Sequence, residues 1–207
     1  MEYEVSIRIL FPETINEVLE KEKDRFVVEY GSSYKSEPHI TLYLDRYTED
    51  GFPKLIKDLE NPKLKSFTFS LLSPEMRIEK DRYRNLYVME VSHKEQFKQF
   101  HDEVSRIAIP HRSPLLREKT RRRLEQQGIQ ADGTRVSAPE GIDNFDPHVT
   151  LGEIDFDKPQ AEIAEVQKNL KQIEGEEIVV SSIEASFYGK ESGAEKFKTI
   201  ERVTISF

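Results

Sequence analysis

The sequence predicts an α+β protein: a bilobal, pseudo-twofold duplication with antiparallel sheets flanked by helices. Three observations lead there. Short runs rich in β-branched and aromatic residues alternate with longer stretches whose apolar residues recur at three and four. The order of these elements then repeats. Two near-identical pentapeptides, Pro38-His39-Ile40-Thr41-Leu42 and Pro147-His148-Val149-Thr150-Leu151, open strands at corresponding places in the two repeats.

The strand signature predicts strands over 3–11, 39–44, 67–78, 85–92, 148–154, 178–188 and 197–207. Helical spacing predicts helices over 14–24, 53–59, 94–107, 114–127 and 159–173, with Phe97, Phe100, Val104 and Ile107 marking one apolar face of the third. One repeat runs from the His39 strand through the helix at 53–59 to the strands at 67–78 and 85–92. The other runs from the His148 strand through the helix at 159–173 to the strands at 178–188 and 197–207. Each histidine strand also follows a helix. The expected organisation is a single bilobal domain over 1–207 with a basic helical insertion at about 110–145.

A chain of 207 residues can bury a substantial core without covalent staples. The absence of cysteine excludes disulfides and thiolate metal sites. The net charge of -8 argues against wrapping a long duplex, but a short oligonucleotide, an RNA end or a nucleotide needs only a local basic surface. The first residues lack the uninterrupted apolar core of a signal peptide, and no apolar stretch reaches membrane-span length. A cytoplasmic monomer with no membrane partner is expected.

On a strand, alternate side chains share a face. His39 and Thr41 therefore point one way while Ile40, Leu42 and Leu44 point into a core, and His148 and Thr150 repeat this above Val149 and Leu151. A single His-x-Thr is usually without meaning. With nine threonines in the chain its chance is about 0.04 per histidine, and two hits among five histidines come to roughly 2%. The duplication is thus the functional signal. Opening a phosphodiester needs one group to take a proton from the attacking oxygen and another to give one to the departing oxygen. Imidazole suits both tasks near neutral pH, which predicts a bell-shaped profile around neutrality. Threonine hydroxyls can hold the non-bridging oxygens. The sequence offers no metal motif such as His-Glu-x-x-His, so no metal and no cofactor are expected.

Two His-x-Thr-x-apolar motifs on strands of a duplicated α+β chain resemble the two-histidine (2H) phosphoesterase superfamily, which includes 2'-5' RNA ligase-like proteins and cyclic nucleotide phosphodiesterases. The pattern spans nearly the whole chain, and the two motifs carry it. The resemblance implies a bilobal fold with a central cleft and a substrate with a 2',3'-cyclic or 2',5'-linked phosphate, at an RNA end or in a small nucleotide. It assigns catalytic roles to His39 and His148 and phosphate-binding roles to Thr41 and Thr150. The chain departs from a compact member in its long stretch between the halves.

Other residues are candidates for substrate binding. The segment 111–123 holds six Lys or Arg against one acid; Arg121, Arg122 and Arg123 could clamp RNA phosphates or form a solvated helix face. Tyr43 is expected to share the face of His39 and Thr41 and could stack a base, whereas Gly152 holds the equivalent place in the second motif. Tyr188 and Lys190 lie near a strand end that could line the cleft. His93, His101 and His111 lack the following threonine and read as structural or surface residues. A module that binds a nucleotide or RNA end without turnover, and a hydrolase of another small phosphorylated metabolite, remain as rival readings.

Overall fold

Eight antiparallel strands form one sheet in the computed structural model of the chain, which describes residues 2–60, 64–77, 84–115, 125, 145–155, 160–190 and 198–207. They are β1 (Glu2–Ile9), β2 (Ile40–Tyr47), β3 (Phe67–Arg77), β4 (Arg84–Val91), β5 (His148–Asp155), β6 (Glu177–Val180), β7 (Ser182–Lys190) and β8 (Lys198–Ser206). The helices among the described residues are α1 (Glu13–Tyr30), α2 (Gly51–Leu59), α3 (Lys94–Ala108) and α4 (Gln160–Leu170), with a single 3-10 turn at Ile109–His111. No helix of these is long and apolar enough to cross a membrane.

The strand order is β6-β3-β4-β5-β2-β1-β7-β8. The seam between β5 and β2 is held by a single bridge, Ile40 to Val149, so the sheet is two four-stranded halves joined edge to edge. This bears out the bilobal α+β expectation but redraws the repeat. The unit is β1-α1-β2-α2-β3, matched by β4-α3-β5-α4 and then β7. In each unit the two strands around the first helix lie in one half, and the last strand joins the other half. The sequence reading placed each repeat one strand too late, because chain order alone does not say which strands pair. The predicted strand over 178–188 is in fact two: the ladder breaks at Ser181, whose carbonyl accepts the Phe207 N–H, and β6 pairs with β3 while β7 pairs with β1 and β8.

Most of the apolar periodicity is borne out. Helix α1 runs six residues past its expected end. Its apolar stripe of Ile15, Leu19, Phe26 and Tyr30 is buried, and packing carries it through the β-branched pair Val27-Val28. It stops at Gly31, which adopts φ +64°, a left-handed cap that costs glycine nothing. Helices α1 and α4 pack together, with α1 against β5 and α4 against β3. Helices α2 and α3 pack together, with α3 against β2. Phe67, Phe69, Phe97 and Phe100 form one aromatic knot of the core, and Phe52 stacks on Phe187 in another. The predicted helix over 114–127 lies mostly outside the described residues.

Candidate active site

The bridge between Ile40 and Val149 joins the residues that directly follow the two histidines. Extending the antiparallel register by one residue sets His39 across from Thr150 and Thr41 across from His148. All four side chains line one cavity of about 210 Å³, together with Lys23, Tyr34, Ser36 and Asp146. Behind them Ile40, Leu42, Val149 and Leu151 are fully buried. The apolar side of each strand fixes its register, and the polar side presents an imidazole and a hydroxyl.

Each histidine is oriented in the same way. His39 Nδ1 lies 2.7 Å from the carbonyl of Glu37, and His148 Nδ1 lies 2.7 Å from the carbonyl of Asp146, two residues back in both cases. A carbonyl has no proton to give, so both Nδ1 atoms carry one, and proton exchange in the cavity is left to the Nε2 atoms. Arg77 Nη1 stands 3.2 Å from His148 Nδ1. With that nitrogen already donating, the contact is proximity rather than a hydrogen bond, and Arg77 is held instead by Glu90 and by Asp146 at 2.6 Å. Lys94 joins the same Glu90 and Asp146 carboxylates.

On the other side, Arg8 Nε and Nη2 both donate to Glu184 Oε1, at 2.8 and 2.5 Å, and Ser186 donates to the same oxygen at 2.6 Å. Burial pushes the Glu184 carboxyl up, but the hydrogen bonds from Ser186 and Arg8 and the Arg8 charge outweigh it and leave the group below its ordinary range. Arg8 also approaches Glu37 at 3.6 Å. Burial is the main cause that lowers the His39 pKa to about 4, and the charges of Arg8 and Lys23 add to it against the opposing pull of the Glu37 carbonyl and Glu184. His39 is therefore neutral at physiological pH, with a lone pair on Nε2.

Lys23 was not foreseen. It lies on α1 with 4% of its surface exposed, and its Nζ donates to the Thr150 carbonyl at 2.8 Å. Burial lowers its pKa to about 8, so the ammonium is still mostly charged at neutrality. The signal was present in the sequence: Lys23 interrupts the apolar stripe of α1, where a surface lysine does not belong. Tyr34 and Ser36 were missed too, because they sit in a loop with no pattern. That loop is pinned to β5 by Ser32, which accepts from the Glu153 N–H, and by Ser33, which donates to the Glu153 carboxylate. A second cavity of about 300 Å³ adjoins the first and shares Lys23, Tyr34 and Ser36 with it.

Of the remaining candidates, those among the described residues, Tyr43, Tyr188 and Lys190, do not line the cavity. Tyr43 is 9% exposed, belongs to the core and donates its hydroxyl to Asp45 at 3.2 Å. The cause is a β-bulge: β1 pairs Arg8 with Thr41 and Ile7 with Tyr43, which leaves Leu42 as the extra residue and resets the alternation. The second motif repeats the device, with Leu151 left over between Thr150 and Gly152. Tyr188 and Lys190 sit four and six residues along β7 from Glu184, paired with Glu4 and Glu2 at the end of the strand away from the histidines. Arg121, Arg122 and Arg123 lie outside the described residues. His101 donates from α3 to the Leu42 carbonyl at 2.6 Å and stacks on Phe145, and His111 meets Asp58 at 2.7 Å. Among the described residues no three His, Asp or Glu side chains are grouped as a metal site.

No family model matches the chain, and no curated protein matches it by sequence. Solved structures match it end to end. E. coli LigT in its apo form is 12% identical, with a TM-score of 0.58 over 100% of this chain and 99% of that one. E. coli LigT complexed with phosphate is 12% identical, with a TM-score of 0.56 over 100% and 99%. TT0787 of Thermus thermophilus is 15% identical, with a TM-score of 0.56 over 99% and 98%. The chain has the LigT-like α+β fold of these structures.

Proposed function

We propose that the protein is a metal-independent 2H phosphoesterase. Its substrates would be 2',3'-cyclic phosphates or 2',5'-phosphodiesters, at RNA ends or in small nucleotides. The observation that carries this reading is the meeting of both His-x-Thr motifs in one cavity, each imidazole with its Nδ1 committed to a carbonyl. In hydrolysis, neutral His39 takes a proton from water at Nε2 as the water oxygen bonds to phosphorus. The opposite P–O bond breaks, and His148, protonated at Nε2, gives its proton to the departing ribose oxygen. A cyclic phosphate becomes a monoester with a free hydroxyl, and solvent returns each histidine to its starting state. Thr41 and Thr150 donate to the non-bridging oxygens as charge gathers there. The same residues serve the reverse, joining reaction. E. coli LigT has been solved with 3'-AMP, which is the class of ligand this reading calls for.

Turnover of a 2',3'-cyclic mononucleotide in EDTA tests the proposal. His39→Ala or His148→Ala should lower it by about two to four orders of magnitude. A wild-type rate in either variant, or a strict need for added divalent metal, would remove the mechanism. The basic segment enters the proposal as an RNA clamp. Changing Arg121, Arg122 and Arg123 together to glutamine should weaken activity on an oligonucleotide ending in a cyclic phosphate and flatten its salt dependence, while a cyclic mononucleotide is hydrolysed as before. Equal loss on both substrates would mark a folding role instead.

A further inference from the structure

Lys23 is placed where a folding argument wants an apolar side chain. Counting along α1 from Leu19 to Lys23 to Phe26 to Tyr30 follows the buried stripe. The ammonium is nonetheless there, buried, with one acceptor, the Thr150 carbonyl. Its other N–H groups meet no acceptor among the described residues, and no described carboxylate lies within ion-pair distance; Asp24 is felt only through space. A buried charge held this way costs stability unless something arrives to pair with it.

What can arrive is defined by the surroundings. Lys23 lines the cavity of the two histidines and also the adjoining one, so it stands at their junction. Its anchor is the backbone of Thr150, whose hydroxyl faces the same cavity. Across the seam from Thr150 is His39, which feels the Lys23 charge. The corresponding helix of the other unit, α3, places His101 on the Leu42 carbonyl, and His101 does not line the cavity. Among the described residues Lys23 is the one cation that lines the cavity, and it stands on the His39 side, whereas Arg77 beside His148 is held by Glu90 and Asp146.

We infer that Lys23 is a catalytic residue, its ammonium binding a non-bridging phosphate oxygen beside the Thr150 hydroxyl and stabilising the charge that gathers there in the transition state. A single non-bridging oxygen then receives Lys23 and Thr150 on the His39 side, and the other faces Thr41 on the His148 side. The substrate is seated in one orientation despite the near-symmetry of the motifs. The lone pair of His39 is also protected, because a second positive charge beside Lys23 is disfavoured.

This rests on the phosphoesterase reading, and measuring inorganic phosphate binding apart from turnover keeps the two distinguishable. Lys23→Met retains the aliphatic stem and removes the charge, and Lys23→Arg retains the charge. In calorimetric titrations phosphate should bind Lys23→Met about tenfold to a hundredfold more weakly than wild type, with Lys23→Arg between them. Ligand-free Lys23→Met should melt at the wild-type temperature or above it, since a buried charge is gone. On a cyclic mononucleotide, kcat/KM should fall about a hundredfold in Lys23→Met. Equal phosphate affinity in wild type and Lys23→Met, or no phosphate binding by wild type, overturns the inference. Phosphate binding that depends on Lys23 in a protein that turns over no cyclic phosphate keeps the anion site and sinks the phosphoesterase reading.

Discussion

His39 and Lys23 titrate away from their ordinary values for one reason: both are withdrawn from water and each carries or neighbours positive charge. For the proposed reaction the consequence is a displaced acid limb. A bell centred on neutrality was expected from imidazole alone, but with His39 lowered to about 4, kcat/KM should hold from neutrality down toward pH 5 and fall only as His39 takes a proton. A midpoint for that limb near 6.5 would show that His39 is not the base. Stability follows the same group. The unfolded chain protonates this imidazole near pH 6.5 and the folded chain only near 4, so the unfolded state binds more protons in between. The contribution of His39 is therefore present above pH 6.5 and is lost as the pH falls to 4. Urea midpoints measured across that window should drop less in His39→Ala than in wild type. The histidines and threonines were legible because the chain writes them twice. Lys23 leaves only a fainter sign, a break in the apolar stripe of α1, because a lysine within a helix reads as solvent-facing until the burial of that helix is known.

At the scale of elements, the two bulges decide what the motifs present. A strand read by strict alternation puts Tyr43 beside His39 and Thr41; the extra residue at Leu42 turns it into the core. Sequence patterns carry no mark of a bulge that lies inside an apolar run, so this part of the site could not be read in advance. The same turn explains why the second motif has glycine there. Helix α1 crosses β5 so closely that a Cβ on Gly152 would lie 2.5 Å from Phe26 Cβ, and the Phe26 ring in turn stacks on Tyr87 at 5.3 Å. Gly152→Ala should cost about 1–3 kcal/mol in chemical unfolding by forcing α1 away from β5. Since α1 carries Lys23, phosphate affinity should fall with it. A neutral effect on both would mean that the helix accommodates the methyl group freely.

Viewed whole, the molecule shows why the element types were easier to foresee than their partners. Periodicity and the two pentapeptides reveal strands, helices and a duplication, since those depend on local spacing. In the exchange of strands between halves, β3 joins the other half through its local pairing with β4, but the joining of β7 to β1 depends on contacts across more than a hundred residues, for which a single chain offers no local sign. That exchange has a further meaning. The arrangement has the geometry of a dimer of two β-α-β-α-β protomers that trade their last strands, with its twofold axis through the Ile40–Val149 bridge, here carried by one polypeptide. In such a dimer every residue occurs twice by necessity: a lysine facing the cavity from one protomer would face it from both, and two such cations would flank one phosphate. Joined in a single chain, the two copies are released from that identity. The histidines and threonines stay paired, while Lys23 faces His101 across the axis and Tyr43 faces Gly152. A symmetric frame thereby acquires a left and a right, and the proposed reaction a preferred direction.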